Sequence, residues 1–312
     1  MDDRQLELWR SGIDSEIAFW EGWFRTKGDE WPDDYAARLA PDTPIDPFFV
    51  DILGEVDLTT VKILDVGAGP ISRHGKVHKG LKLDIVACDP LADHYAAIRD
   101  KYEVTPPIRT TKSFAEDLAS FFPSDHFDLV TCTNALDHSF EPLRGIAHML
   151  EVVKPGGVVV LQHAFNEAER GRYDGLHQWN FDLQDGRFII WNLNYRIDVA
   201  EVLAPFATVR AENRGYLTAI ITKRNPISAS ELVDPRARVR ELLNLLTTNS
   251  YRRTQESEAR AVAERTKAVA AEERAVEADT RYNAALRSTS WRITAPLRSL
   301  SRLLKAVAPK RS

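Results

Sequence analysis

Along the first 27 residues, Leu6, Trp9, Ile13, Ile17, Trp20 and Phe24 fall three or four apart, a spacing that gathers them on one side of a helix over 4–27. From residue 62 the pattern changes to short, nearly continuous apolar runs rich in β-branched residues, interleaved with helical spacings. Such alternation predicts a parallel sheet covered on both faces, with strands over 62–66, 83–88, 106–110, 127–132 and 157–162. Leu143, Ile146, Leu150 and Val153 keep helical spacing over 141–153, and Lys154-Pro155-Gly156-Gly157 is expected to stop that helix. A helix over 197–204 then precedes 206–212 and 216–223, which suit a closing antiparallel pair turning near Gly215. The class expected is α/β, mostly parallel, with a helical lead-in and an antiparallel last strand.

Beyond residue 250, Ala261-Val262, Ala268-Val269 and Ala275-Val276 recur every seven residues amid Glu, Arg and Lys, a period that favours a supercoiled helix. The seam is thin, because the second core position holds Arg265, Glu272 and Asp279, or in the other register Thr266 and Glu273. The expected divisions are a lead-in or lid over 1–54, an α/β domain over 55–225, a linker and short helix over 226–250, a coiled-coil helix over 251–287 and a tail over 288–312. Asp234-Pro235 suits the cap and first position of a helix. Charge separates the same two parts: residues 1–225 hold 24 Lys/Arg against 36 Asp/Glu, a net −12, and residues 226–312 hold 17 against 10, a net +7. An acidic first part argues against a nucleic-acid substrate, whose binding relies on clustered cations. After Pro296, Leu297, Leu300, Leu303, Leu304 and Val307 share one helical side flanked by Arg298, Arg302 and Lys305. Such a tail, over 291–311, suits either an anionic membrane surface or a protein partner. Cys88 and Cys132 both sit in strand-like runs, so no disulfide framework is implied, and the first residues lack the basic start and apolar stretch of a secretory signal. A cytoplasmic location is expected, with contact at the inner membrane face as an option.

The segment Val61-Lys62-Ile63-Leu64-Asp65-Val66-Gly67-Ala68-Gly69-Pro70 ends a strand in a glycine turn where a ligand can lie against bare main chain. Twenty residues after Gly69, the second strand ends at Asp89 in Ala87-Cys88-Asp89-Pro90, and a carboxylate there can accept from both hydroxyls of a ribose. A nucleoside-bearing cofactor is the expectation. A dinucleotide oxidoreductase would need a third glycine at position 72, which is Ser72.

The order of the glycine loop, Asp89, Ala115-Glu116-Asp117, Phe127-Asp128-Leu129-Val130 and Lys154-Pro155-Gly156-Gly157 resembles class I S-adenosylmethionine-dependent methyltransferases across most of 55–225. The resemblance implies a Rossmann-like methyltransferase sheet and S-adenosylmethionine as cofactor, held by Asp65, Gly67, Ala68, Gly69, Asp89 and Pro90. It further implies that Glu116 or Asp117 accepts from the adenine amino group, that Asp65 organises the loop near the methionyl ammonium, and that Asn134 faces the methionyl part. Pro70 departs from the longer glycine series of many members; it is expected to start the following helix.

Methyl transfer from a sulfonium requires alignment of acceptor and methyl, and removal of a proton where the acceptor is a hydroxyl. Histidine suits that task, and His163 and then His138, both at strand ends, are the candidate bases. His177, Trp179 and Asn180 lie in an aromatic, amide-rich loop where family members bind substrate. Asn134-x-x-Asp137-His138 resembles, incompletely, an acidic metal-binding pattern of some O-methyltransferases; asparagine stands where a carboxylate is required, so no metal is expected. Ser288-Thr289-Ser290-Trp291-Arg292-Ile293-Thr294-Ala295-Pro296-Leu297-Arg298 resembles a segment that ends many bacterial surface-polysaccharide enzymes. With the heptads, it implies a methyltransferase that modifies O-antigen or capsule chains at a sugar hydroxyl or terminal phosphate, with a coiled coil for self-association or for a glycan-assembly partner. A small-molecule O-methyltransferase with an oligomerising tail and a non-catalytic cofactor-binding scaffold are the alternatives.

Overall fold

The computed structural model describes the backbone of residues 3–229 and 237–298, and side chains over 12–229, at 257 and over 259–298. The chain divides into two compact units, Met1–Arg252 and Arg253–Ser312. In the first unit the lead-in forms α1 (Asp3–Thr26), α2 (Pro32–Leu39) and α3 (Pro47–Leu53). The sheet strands follow: β1 (Lys62–Val66), a small hairpin of β2 (Val77–His78) and β3 (Leu81–Lys82), β4 (Asp84–Cys88), helix α4 (Ala92–Lys101), β5 (Thr110–Thr111), β6 (Phe127–Thr133), helix α5 (Pro142–Val152) and β7 (Val153–His163). After α6 (Glu167–Arg170) come β8 (Asn180–Gln184), β9 (Arg187–Asn192), β10 (Tyr195–Asp198), α7 (Val199–Leu203), β11 (Ala207–Asn213) and β12 (Leu217–Lys223).

Seven strands make the main sheet in the order β11-β12-β7-β6-β1-β4-β5, with β12 antiparallel to both neighbours and the other pairings parallel. Alternate residues serve opposite layers. Ile63, Leu129, Val158 and Val160 pack with Phe49 of α3 on one face, while Leu64, Val130, Val159 and Leu161 pack with Ile146, Met149 and Leu150 of α5 on the other. Burial on both faces is why these strands read as unbroken apolar runs. A third cluster joins Ile13, Trp23 and Phe24 of α1 to Leu91, Tyr95 and Ile98 beside and within α4, anchoring the lead-in to the domain.

Three expectations are corrected. No helix follows the glycine loop: residues 71–76 run in irregular backbone to the β2–β3 hairpin, because Lys76 N and Val77 N both donate to Thr43 O and Ile45 N donates to Val77 O. Pro70 therefore starts no helix. The strand expected over 106–110 shrinks to Thr110–Thr111, since Pro106 and Pro107 lack the amides a ladder needs. The helix does end ahead of Lys154–Gly157, at Val152, but the strand expected over 157–162 begins at Val153, so that segment is an irregularity inside β7, with the Lys154 ammonium 2.7 and 2.8 Å from the two Asp128 oxygens and the Asp128 carboxylate also accepting from Lys62 N.

The antiparallel sheet β10-β9-β8 was not expected at all. Its turn, Asp185-Gly186, has both residues at positive φ (51° and 74°), the requirement of a tight two-residue hairpin.

In the C-terminal part, α8 (Ala237–Arg287) is one continuous helix of 51 residues, longer than the 251–287 expected, and α9 (Thr289–Ile293) follows it. Val262, Val269 and Val276 are exposed along it. The Asp234-Pro235 cap, and the apolar stripe beyond residue 298, lie outside the described residues.

Lys223, fully buried at the end of β12, donates to Asp125 Oδ1 (2.6 Å) and to the carbonyls of Val153 and Glu151, tying the reversed strand to the junction of α5 and β7. Lys223→Met removes the donor to Val153 O and Asp125, leaving Glu151 O only its bond from Asp125 N, and is expected to lower the unfolding free energy by about 2 kcal/mol in a denaturant titration of the full chain.

Candidate active site

The parallel registers place Val66, Cys88 and Cys132 side by side, so β1, β4 and β6 all leave the sheet at one level. A cavity of about 710 Å³ opens there, lined among others by Gly67, Asp89, Glu116, Asn134, His138 and His177. Its size falls in the range of small-molecule and cofactor sites.

The glycine loop is held against the next strand: Gly67 N and Ala68 N both donate to Cys88 O, at 2.9 and 3.1 Å. Gly67 takes a φ of 68°, and a Cβ there would stand 2.3 Å from the Ala135 methyl, so only glycine fits. Gly69 N donates to Asp89 Oδ2 (3.0 Å) and Leu91 N to Asp89 Oδ1 (2.8 Å), orienting the Asp89 carboxylate at the cavity wall. Burial pushes its pKa up to about 6 despite those two amides. Asp65 is 2% exposed and accepts from Ser72 Oγ at 2.6 Å, with Thr131 Oγ1 at 3.3 Å. Burial opposes its charge, but His74, Ser72 and Arg38 together hold the carboxyl below its ordinary value. Ser72, the absent third glycine, thus has a task of its own. Ala68, Pro90 and Asn134 also line the cavity, and Asn134 Oδ1 accepts from Ala164 N, joining the ends of β6 and β7.

The two acidic candidates for an adenine contact separate. Glu116 lines the cavity and accepts from Phe140 N at 2.6 Å, whereas Asp117 is not among the lining residues and its carboxylate accepts from Ser120 Oγ. The lead-in supplies wall residues with no counterpart in the expected set. Trp20 closes over Gly69, its ring 2.9 Å from where a Cβ would stand, and its indole nitrogen donates to Glu16. Arg38 stands about as close to Trp20 as to Trp23, with its guanidinium 5.6 and 5.5 Å from the two rings, and donates to Asp34 and to Ile71 O.

The expected catalytic and acceptor residues are redistributed. His163 does not reach the cavity: it is fully buried, stacks on Phe181 at 4.5 Å, and has no hydrogen-bond partner on either ring nitrogen. Burial lowers its pKa to about 4. Trp179 and Asn180 are likewise structural. Trp179 packs in the core with its indole nitrogen donating to Ser139 O, and Asn180, at the start of β8, accepts from Glu169 N and donates to Tyr173 OH. His138 and His177 do meet, in the cavity wall, around Asp137, which the sequence offers only within an incomplete metal-binding pattern. Asp137 Oδ2 lies 2.6 Å from His177 Nδ1 and 3.5 Å from His138 Nε2, and those two nitrogens are 3.1 Å apart. Asp137 is 1% exposed; burial alone would raise its pKa, but the charge of His138 and the hydrogen bond from His177 bring it to about 2. The signal for this cluster was the Asp-His pair itself; what the sequence does not hold is that the β8–β10 sheet returns residue 177 to it.

The fit to a nucleoside cofactor rests on the Gly67 cradle and the oriented Asp89. Ribose hydroxyls require the Asp89 carboxylate ionised, so affinity for S-adenosylmethionine is expected to stay level above pH 7 and to weaken by up to about tenfold per pH unit below pH 6. Stability has the opposite sign: a carboxyl raised above its unfolded value favours the fold when protonated, so this group stabilises the cofactor-free chain as pH falls through 6. Calorimetry on the wild type and Asp89→Asn checks both, the variant showing weak affinity at every pH and no inflection near 6.

Residues 64–161 match the family described as a methyltransferase domain. No curated protein matches the chain. Among solved structures, the YcgJ protein of Bacillus subtilis is 18% identical, with 57% of this chain and 97% of that one covered at a TM-score of 0.33. A Thermotoga maritima protein described as a SAM-dependent methyltransferase, possible histamine N-methyltransferase, is 13% identical, with 70% and 100% covered at 0.41. An O-methyltransferase family protein of Burkholderia thailandensis is 16% identical, with 58% and 56% covered at 0.35. The chain carries a class I S-adenosylmethionine-dependent methyltransferase domain, and S-adenosylmethionine is its cofactor.

Proposed function

We propose that the enzyme O-methylates a saccharide hydroxyl, in a bacterial surface polysaccharide, and that the Asp137–His138–His177 cluster is where the acceptor loses its proton. One observation carries the reading: His138 and His177 of the cluster lie in the wall of the same cavity as Gly67 and Asp89, with Asp137 buried behind them. The cofactor supplies an electrophilic methyl group on a sulfonium. The chain's own task is to hold the acceptor oxygen in line with that carbon and to remove its proton. A hydroxyl needs that proton removed at neutral pH, whereas a terminal phosphate is already ionised, so the histidine cluster favours the hydroxyl over the phosphate.

The saccharide part of the proposal rests on the Ser288–Arg298 segment and the heptad helix, whose resemblance is to enzymes of surface-polysaccharide assembly. Val262, Val269 and Val276, seven apart and each more than half exposed, support self-association of the helical arm or its docking to an assembly partner. Trp291, Ile293 and Leu297 are exposed beside Arg292 and Arg298, which supports a membrane-surface or partner contact; no helix among the described residues is long and apolar enough to cross a membrane.

Labelled S-adenosylmethionine offered with surface-polysaccharide fragments is expected to label saccharide; label entering only small metabolites overturns the glycan reading. His138→Ala and His177→Ala are each expected to lower kcat by about 10²–10⁴-fold with cofactor affinity preserved. Unchanged turnover in both would remove the cluster from the reaction.

A further inference from the structure

We propose that Asp137, His138 and His177 bind a divalent first-row transition-metal ion. The inference rests on the same cavity wall as the proposed acceptor site and deepens that reading, by assigning to a cation the task of activating the acceptor hydroxyl.

The geometry is that of a coordination face. Asp137 Oδ2, His177 Nδ1 and His138 Nε2 form a triangle with edges of 2.6, 3.1 and 3.5 Å. A circle through the three atoms has a radius of roughly 1.8 Å, below the ~2.0–2.2 Å of metal–imidazole and metal–carboxylate bonds, so one ion standing off the plane reaches all three. Among the described residues these are the only three His, Cys, Asp or Glu side chains whose ligand atoms converge so closely. Hydrogen bonding alone serves the triangle poorly. The His177 Nδ1 proton can be aimed at the aspartate at 2.6 Å or at His138 at 3.1 Å, but not well at both. A single cation standing off the plane of the triangle satisfies all three lone pairs at once.

The surroundings favour a working site over a structural one. Asp137 is buried, His138 is largely buried and His177 is 40% exposed at the side chain, so the protein closes one side and the cavity leaves the other open. Asp137 Oδ1 is buried with no hydrogen-bond partner, leaving the carboxylate committed through Oδ2. Two imidazoles and one carboxylate with open positions suit Mn²⁺, Fe²⁺, Co²⁺ or Zn²⁺ better than Mg²⁺ or Ca²⁺, which prefer all-oxygen shells. Asn134 at the start of the Asn134-x-x-Asp137-His138 segment argued against a metal only if the ligands were all local. The third ligand is His177, 40 residues after Asp137 and returned by the β8–β10 side of the domain.

At this position the cation lowers the pKa of an acceptor hydroxyl and orients its oxygen toward the methyl carbon. The proton passes to water, the oxygen–carbon bond forms as the carbon–sulfur bond breaks, and the bonding electrons leave with sulfur. No oxidant or reductant is involved.

The full chain, stripped with chelator, is titrated with Co²⁺ and followed by calorimetry and visible absorption, without acceptor. One equivalent is expected to bind, with d–d bands appearing in step, and His177→Ala and His138→Ala each weaken binding by about 100-fold or more. Retained S-adenosylmethionine binding shows that each variant is folded, and Asp89→Asn leaves the Co²⁺ isotherm intact. Absence of saturable binding below about 1 mM, or an isotherm unmoved by the two histidine variants, overturns the proposal. The acceptor reading fails separately: Co²⁺ bound at this site with no saccharide labelled leaves the metal site standing, and saccharide labelled at full rate by the stripped chain removes the metal.

Discussion

Two amides on one carbonyl organise the site. Gly67 N and Ala68 N both close on Cys88 O, and this clamp is available only because Gly67 accepts a φ of 68° where a side chain would strike Ala135. With the loop bent back in this way, Gly69 N reaches Asp89, Thr110 Oγ1 reaches Gly69 O, and Ser72 reaches Asp65. This side of the cavity is thus a set of backbone groups and two buried carboxylates fixed by one turn. Each carboxylate pays for its burial differently: Asp65 through neighbours that favour its charge, Asp89 by a raised pKa.

The parts of the fold legible in the sequence are those whose physics is local or two-sided. Strands buried on both faces must be apolar throughout, so β1, β4, β6 and β7 stood out; α1 announced itself by spacing, and Gly67 and Asp89 by position at strand ends. Features that depend on a distant partner did not. The chain over 71–76 stays irregular and leads into Lys76 and Val77, which pair with residues 43–45, and nothing in Ser72-Arg73-His74-Gly75 states that. The β8–β9 hairpin was more accessible: Phe181 and Leu183 before Asp185-Gly186, with Phe188 and Ile190 after it, alternate as a half-buried ribbon should. Reading that stretch as an open acceptor loop placed Trp179 and Asn180 in the site when their packing puts them beneath it.

The same sheet explains why the histidines changed roles. A residue at the end of a parallel strand belongs to the cavity only if nothing packs over it. His163 ends β7, but Phe181 of β8 lies flat against its ring and seals it from the cavity. The segment ahead of that hairpin carries His177 into the cavity wall, beside His138. One insertion thereby withdraws one imidazole and delivers another.

What results is a buried carboxylate with two imidazoles on its open side, an arrangement that costs the fold desolvation and is stable only while positive charge faces it. Protonated imidazoles can provide that charge, and so can a metal ion; water cannot, because Asp137 is almost fully enclosed. The two solutions differ in what they leave for an acceptor. One imidazolium balances the single carboxylate charge and leaves the other imidazole's lone pair to take a proton from a hydroxyl. A cation held by neutral imidazoles satisfies the carboxylate and activates the oxygen at the same time. In the proposed metal-bound form the cation supplies the charge that Asp137 requires and lowers the pKa of the acceptor hydroxyl, whose proton passes to water.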